Sequence, residues 1–144
     1  MRRYWIGLTL LNMIIFLSAC ANAREFKVMD TWVKPAVKGG NSAVYFIISN
    51  ATDNKDTLKS IETKVASSAK IQQSSKGENG AIFTQILESV PIPAQQEVIF
   101  KPDKLDVLLI ELKQELKAGD TIEMVLNFEI AGSIIIQAPV KDHY

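Results

Sequence analysis

The strongest constraint on the fold comes from the last part of the chain, where apolar and polar side chains alternate. Residues 121–130 read TIEMVLNFEI, with apolar side chains at every second position. A period of two places these side chains on one face of a β-strand. Ala131 and Gly132 then turn the chain into a second β-rich run, residues 133–140. The pattern predicts a β-hairpin whose buried face carries Ile122, Met124, Leu126 and Phe128.

Other short runs rich in β-branched and aromatic residues predict further strands. They span residues 25–33, 42–49, 69–74, 81–87, 97–100 and 107–112. Residues 58–65 fit either a strand or a loop, and the Pro-Ile-Pro of residues 91–93 indicates a loop or a sheet edge. No segment keeps the helical period of about 3.6 residues over three turns, and residues 111–117 allow one helical turn at most. Eight or nine short strands, at about this spacing, predict an all-β sandwich or Greek-key barrel.

Composition and charge narrow the functional classes. The 144 residues include sixteen basic and sixteen acidic side chains, so the formal net charge is zero. This balance gives no overall attraction to nucleic acid or to an anionic membrane surface. With 47% hydrophobic and 22% charged residues, the chain has the composition of a globular protein. Its one cysteine, Cys20, excludes an intramolecular disulfide and any metal site made of several cysteines.

The N-terminal segment has the pattern of a secretory signal. Arg2 and Arg3 precede an apolar run over residues 5–17, which is shorter than the roughly twenty residues that a membrane-spanning helix needs. We therefore expect residues 1–19 to be a signal peptide and residues 20–144 to form a single exported domain in the periplasm.

The end of that segment, Leu-Ser-Ala-Cys, resembles the bacterial lipobox. In a lipobox the cysteine becomes the first mature residue, so Cys20 is expected to carry the acyl chains that attach the protein to a membrane. Ordinary signal cleavage after Ala23 remains an alternative, because residues 21–23 also form an A-x-A site.

Four short motifs, taken together, resemble those of one protein family. They are residues 30–34 (DTWVK), residues 43–46 (AVYF) followed by Asn50, residues 116–121 (LKAGDT) and residues 128–132 (FEIAG). Their order and spacing are similar to those of the periplasmic copper chaperones called PCu(A)C, over residues 26–140. The resemblance implies a cupredoxin-like Greek-key β-sandwich.

The same resemblance implies a function. PCu(A)C proteins carry Cu(I) to the copper-A centre of cytochrome oxidase, or buffer copper outside the cytoplasm. Their ligands follow the pattern H-x(10)-M-x(21)-H-x-M. Thioether sulfur and imidazole nitrogen suit soft Cu(I), and an exposed site of few ligands allows the ion to be passed on.

This chain departs from the family at each ligand position. The first histidine corresponds to Gln72, and the first methionine corresponds to Thr84 or, by strict counting, to Phe83. The second histidine corresponds to Asp106 and the last methionine to Leu108. Amide, hydroxyl and carboxylate oxygens are hard donors and leucine donates nothing, so the copper site is predicted to be degenerate.

The remaining soft donors are few. No histidine, methionine or cysteine lies between Met29 and Met124, so no change of register restores the motif. Met124 is expected in the core, Met29 in the core or at a sheet edge, and His143 in a solvated tail. Met29 and His143 are the fallback donors for a non-standard copper site. Two acids, Asp103 and Asp106, fit a solvated turn better than a site for a hard cation.

Three functional hypotheses remain after the motifs are weighed. The first is a binding module that keeps the copper-chaperone framework without its copper site, and that recognises an envelope protein in metal handling or oxidase assembly. The second is a working copper chaperone with a non-standard site, such as Met29 with His143. The third is an unrelated lipoprotein interaction domain. An enzyme is not expected, because no nucleophile lies beside a base and no catalytic motif is present.

Overall fold

The computed structural model describes residues 25–142, which form ten β-strands and no helix. The predicted signal peptide, Cys20 and His143 lie outside the described residues. The strands are β1 (Phe26–Val33), β2 (Ser42–Asn50), β3 (Asp56–Thr63), β4 (Ala66–Lys76), β5 (Ile82–Leu87), β6 (Val90–Ile92), β7 (Gln96–Phe100), β8 (Leu105–Leu112), β9 (Thr121–Phe128) and β10 (Ser133–Pro139). Residues 25–142 contain no helix that could span a bilayer.

The strands form two antiparallel sheets that enclose one hydrophobic core. The six-stranded sheet has the order β1-β2-β8-β4-β5, and β7 also pairs with β2. The four-stranded sheet has the order β10-β9-β3-β6. Because many neighbouring strands are not consecutive in sequence, the chain crosses between the sheets several times, as it does in a Greek-key sandwich.

Alternation along each strand determines what is buried. Val44, Phe46 and Ile48 of β2 point into the core, where the Phe46 ring stacks on Phe100 with 4.2 Å between ring centroids. The predicted hairpin is confirmed as β9 paired with β10, and the four alternating apolar residues of β9 are buried. Met124 is among them and is fully buried, which confirms its assignment to the core.

Two ambiguous segments are resolved by the structure. Residues 58–65 mostly belong to strand β3, which pairs with both β6 and β9. Residues 91–93 contribute to the short strand β6, which lies at the edge of the four-stranded sheet, where proline is tolerated. The single helical turn allowed in residues 111–117 does not form. There the buried Leu116 forms an isolated bridge with Ala36 instead.

Two strands share one edge of β2. Strand β8 pairs with the first residues of β2, Ser42 to Val44, and β7 pairs with its later residues, Phe46 to Asn50. The chain leaves the sheet between them as a short loop, which is closed by a hydrogen bond from the Lys101 amide to the Leu105 carbonyl, 2.7 Å long. The edge of β2 is therefore covered by two successive strands rather than one.

Candidate functional site

The first predicted ligand positions meet on the outer face of the six-stranded sheet. Ile71 of β4 and Val107 of β8 are cross-strand partners that point into the core. Their neighbours therefore point outward, and Gln72 is the direct partner of Asp106. Leu108 lies two residues further along β8 on the same face, so three of the four positions lie together on two paired strands.

The fourth position lies on the neighbouring strand β5. Gln72 pairs with Ile86 on that strand, and Thr84 pairs with Ser74. Thr84 therefore shares the outward face, whereas Phe83 points to the opposite face of β5. This geometry favours Thr84 over Phe83 as the counterpart of the family's first methionine.

Asp106 is the unusual residue of this face. Its side chain is buried, with 5% of the residue exposed, and its Oδ1 atom has no hydrogen-bond partner among residues 25–142. Burial raises the pKa of Asp106, and the nearby carboxylate of Asp103 adds to the rise. The side-chain hydrogen bond with Gln72 and the positive charge of Lys34 partly oppose it. A buried carboxyl group with a free oxygen is costly, which makes it a candidate functional group.

Aromatic side chains stand beside Asp106. Val44 pairs with Val107, so Tyr45, the next residue of β2, lies beside Asp106 on the neighbouring strand. The Tyr45 ring packs against Trp32, with 4.5 Å between centroids, and Lys34 places its Nζ 5.8 Å from the Tyr45 ring centroid. Two of the sequence motifs, residues 30–34 and 43–46, thus supply the side chains around this position.

The donor set does not fit Cu(I). The four positions offer an amide, a hydroxyl, a carboxylate and a leucine side chain, and Cu(I) prefers sulfur and imidazole. No group of three or more His, Cys, Asp and Glu side chains in residues 25–142 is arranged to hold a metal ion. Asp103 is exposed in the loop before β8, so it adds one hard donor at most.

Met29, the fallback donor that lies within the described residues, is distant from the predicted ligand positions. Met29 lies partly exposed on the edge strand β1, as the partner of Ile47, and three strand positions separate β1 from β4. That separation corresponds to roughly 14 Å at the usual spacing of neighbouring strands. Met124 is enclosed in the core. A site that joins Met29 to His143 remains a prediction, because His143 lies outside the described residues.

Other motif residues hold turns rather than a ligand. The buried Asn50 donates its side-chain N–H groups to the carbonyls of Asn54 and Pro93, at 2.8 and 3.1 Å. Its Oδ1 accepts hydrogen bonds from the Thr52 backbone amide and hydroxyl, at 3.1 and 2.6 Å. Asn50 therefore ties the loop after β2 to the segment after β6.

Sequence analysis missed a second turn-holding residue, Asp56. Its Oδ1 accepts the amides of Thr57 and Ile130, at 2.7 and 2.9 Å, and its Oδ2 accepts the amide of Ala131 at 2.7 Å. The FEIAG motif, residues 128–132, is the turn that this carboxylate holds. Asp56 ends the polar stretch of residues 50–56, and an aspartate in such a stretch is too common to identify this role.

Comparison with known proteins identifies the family. The family described as "Putative lipoprotein LpqE-like" matches residues 26–140. The chain belongs to this LpqE-like family. A relative described as "Putative lipoprotein Lxx21020", from Leifsonia xyli subsp. xyli, is 24% identical over 116 residues, which cover 81% of this chain and 69% of the relative.

Solved structures confirm the fold of this LpqE-like protein. The apo PCuAC domain from PmoF1 is 29% identical with a TM-score of 0.69, over 82% of this chain and 94% of that domain. The copper-bound PCuAC domain from PmoF2 is 21% identical with a TM-score of 0.68, over 82% and 93%. The solution structure of CuI-DR1885 from Deinococcus radiodurans is 23% identical with a TM-score of 0.64, over 85% and 84%. The expected PCu(A)C resemblance and the cupredoxin-like β-sandwich are therefore confirmed.

Proposed function

We propose that this LpqE-like protein is a non-catalytic binding module of the cell envelope, built on the copper-chaperone framework without its Cu(I) site. It acts by recognising a partner protein in envelope metal handling or oxidase assembly. The observation that carries the proposal is the pairing of Gln72 with Asp106. The resemblance to PCu(A)C proteins assigns these two positions to the two histidine ligands.

The chemistry around this pair supports binding over metal transport. Gln72 and Asp106 form a side-chain hydrogen bond with each other, and the Leu108 side chain beside them has no atom that could bind a metal. An apolar and aromatic surface with one buried carboxyl group is typical of a site that recognises a molecule rather than grips a soft ion.

The proposed location is the periplasm, with attachment to a membrane through acyl chains on Cys20. Both the family and its relative from Leifsonia carry the description of a lipoprotein, which supports this location. Mass spectrometry of the purified chain tests it directly. Acyl groups on an N-terminal Cys20 are expected, and a mature chain that begins at Arg24 would contradict the anchor.

A competition experiment tests the absence of a copper site. The full-length chain in detergent competes with the chromophoric chelator bicinchoninate for Cu(I), under anaerobic and reducing conditions. We expect no withdrawal of Cu(I) from the chelator. Withdrawal of one equivalent with submicromolar affinity would show that a working copper site exists, and the variant Met29→Ala with His143→Ala would then test the fallback donors.

Restoring the ligands tests the positions themselves. The combined variant Gln72→His, Thr84→Met, Asp106→His, Leu108→Met is expected to gain one equivalent of Cu(I), because all four side chains share one face. The matched control replaces Thr84→Met by Phe83→Met, which places the methionine on the opposite face of β5. Equal copper binding by both variants would contradict the assignment of Thr84.

A further inference from the structure

The six-stranded sheet has an opening between β7 and β4. Beside the first residues of β2, β8 fills the space between β2 and β4. Further along, β7 takes the place of β8 next to β2, but β4 does not pair with it. The pairing of β4 with β8 ends at Gln73, although β4 itself continues to Lys76.

An open groove occupies this gap. Residues 73–76 of β4 form one wall, Ile99 of β7 lies on the other, and residues 101–105 close one end. Its volume is about 800 Å³, which is within the range of sites that hold a ligand or a short peptide segment. The groove is adjacent to the Gln72–Asp106 pair, because Gln73 and Leu105 are the next partners along the same two strands.

A free strand edge faces the groove. Strand β7 pairs with β2 along one edge, and within residues 25–142 no strand pairs with its other edge. Exposed backbone N–H and C=O groups of this kind are a template for an added strand. An extended segment lying in the groove could therefore continue the sheet beyond β7.

The charges on the groove favour an acidic occupant. Three lysines line it, Lys76, Lys101 and Lys104, against one carboxylate, Asp103. None of these three ammonium groups forms an ion pair with a residue of the described chain. Since the whole chain is neutral, this local excess of positive charge is a property of the groove and not of the protein.

Apolar side chains on the same face provide contact area for alternate residues of a strand. Ile99 lies on the groove and is 47% exposed. Ile82, the partner of Lys76 on β5, is 58% exposed. An exposed isoleucine such as Ile99 beside a free strand edge would promote aggregation if it had no partner, and the three lysines counter that tendency.

We infer that this groove binds an acidic, extended segment of a partner protein, which pairs with the free edge of β7 and places its carboxylates near Lys76, Lys101 and Lys104. The inference rests on the proposed function, in which the domain acts by binding a partner protein. It adds the chemical class of the partner segment and the mode of binding.

Fluorescence anisotropy of a labelled peptide tests the inference. The probe is a short synthetic peptide of alternating aspartate and valine, and the full-length chain is held in phosphatidylcholine nanodiscs. We expect saturable binding of this peptide and none of the matched peptide with lysine in place of aspartate. Absence of binding of the aspartate peptide would overturn the inference.

Charge reversal locates the binding. The variant Lys76→Glu, Lys101→Glu, Lys104→Glu is expected to weaken binding by about tenfold or more, since three attractive contacts become repulsive. The control variant Lys38→Glu, Lys64→Glu, Lys113→Glu makes the same change in net charge at exposed lysines elsewhere and should leave the affinity unchanged. Equal weakening in both variants would show that only net charge matters, and would overturn the inference that the groove is the binding site.

Backbone methylation tests strand pairing. Two versions of the acidic peptide carry N-methyl groups on alternate residues, so that one version loses the N–H groups that face β7. At least one version is expected to lose about tenfold in affinity, which corresponds to one or two hydrogen bonds. If both versions bind as well as the parent peptide, the contact is electrostatic only and the pairing is wrong.

A lipid occupant gives a different result. If glycerophosphoglycerol, the soluble headgroup of phosphatidylglycerol, binds the groove lysines and the acidic peptide does not, the groove is a lipid site and the inference is overturned. The copper competition on the same full-length chain is read separately. Tight Cu(I) binding would contradict the proposed loss of the copper site. The peptide result would still show whether the groove binds an acidic segment.

Discussion

Two buried carboxyl groups, Asp56 and Asp106, have the same exposure and opposite surroundings. Each residue is 5% exposed. Asp56 accepts three backbone N–H groups from Thr57, Ile130 and Ala131. Asp106 has the Gln72 side chain as a partner, and its Oδ1 has none in the described part of the chain. Two equally buried carboxyl groups therefore differ in how fully the fold satisfies their hydrogen bonds.

This difference distinguishes a carboxylate that stabilises the fold from one that belongs to the candidate functional site. A carboxylate whose oxygens are filled by backbone amides stabilises the turn that supplies them. A carboxyl group that is desolvated without full compensation lowers stability, and such residues concentrate at functional positions. Asp106 is such a carboxyl group, so its cost to stability is consistent with a binding role rather than a structural one.

The largest expected effect is at Asp56. Replacing Asp56→Ala leaves three backbone amides without their acceptor, and we expect a loss of about 3 kcal/mol in the free energy of unfolding. Urea denaturation followed by circular dichroism measures it. The exposed Glu88→Ala provides the control, with a change of less than about 0.5 kcal/mol. A loss as small as that of the control would show that Asp56 does not hold the turn.

The next largest effect is expected at Asn50, another buried polar side chain that holds a loop. The variant Asn50→Ala removes the donors to Asn54 and Pro93 and the acceptor of Thr52, and should lower the free energy of unfolding by about 2 kcal/mol. Asn79→Ala, in the exposed turn between β4 and β5, is the matched control. Faster hydrogen exchange of the Thr52 amide in the variant would identify the loop as the affected region.

Replacing Asp106 should raise the free energy of unfolding instead of lowering it, by an amount that depends on pH. Because its pKa in the folded protein is raised above the ordinary 3.8, its contribution to stability is complete below that value. The contribution is lost as the pH rises through the pKa of the folded protein. The variant Asp106→Asn removes this loss, so its free energy of unfolding relative to the parent should increase between about pH 4 and neutrality. A difference that is constant with pH would contradict the raised pKa.

The smallest effect tests one of the four influences on the pKa of Asp106, the hydrogen bond with Gln72. Gln72→Leu keeps a side chain of similar size and removes the hydrogen bond that lowers the pKa of Asp106. We expect the pKa of Asp106 to rise further, while the free energy of unfolding changes by less than about 1 kcal/mol. Carbon-detected NMR titration of the Asp106 carboxyl group measures the first quantity. An unchanged pKa would show that the hydrogen bond with Gln72 does not contribute to it.

Much of the fold was predictable because its signals are local. Alternation over residues 121–130 predicted the buried face of β9, and the motifs predicted a cupredoxin-like sandwich. The bounds of β1, β2 and β7 match the predicted runs to within one residue. These features depend on neighbouring residues, which the sequence contains directly.

The features that define the site depend on distant residues and were not predictable. Asp106 occupies an outward position, for which alternation predicts exposure, and yet it is buried on the face that also carries Tyr45 and Trp32. The sharing of one β2 edge by β7 and β8 is a matter of register between strands far apart in sequence. Neither the free oxygen of Asp106 nor the groove beside β7 has a local sequence signal.

Alternation also has a consequence for how such proteins diversify. On β4 and β8 the inward positions, such as Ile71 and Val107, hold the two sheets together, and outward positions such as Gln72 and Asp106 do not belong to that core. Mutation can rewrite one set while selection for folding preserves the other. The chemistry of the outward face can thus change while the core that folds the protein stays the same.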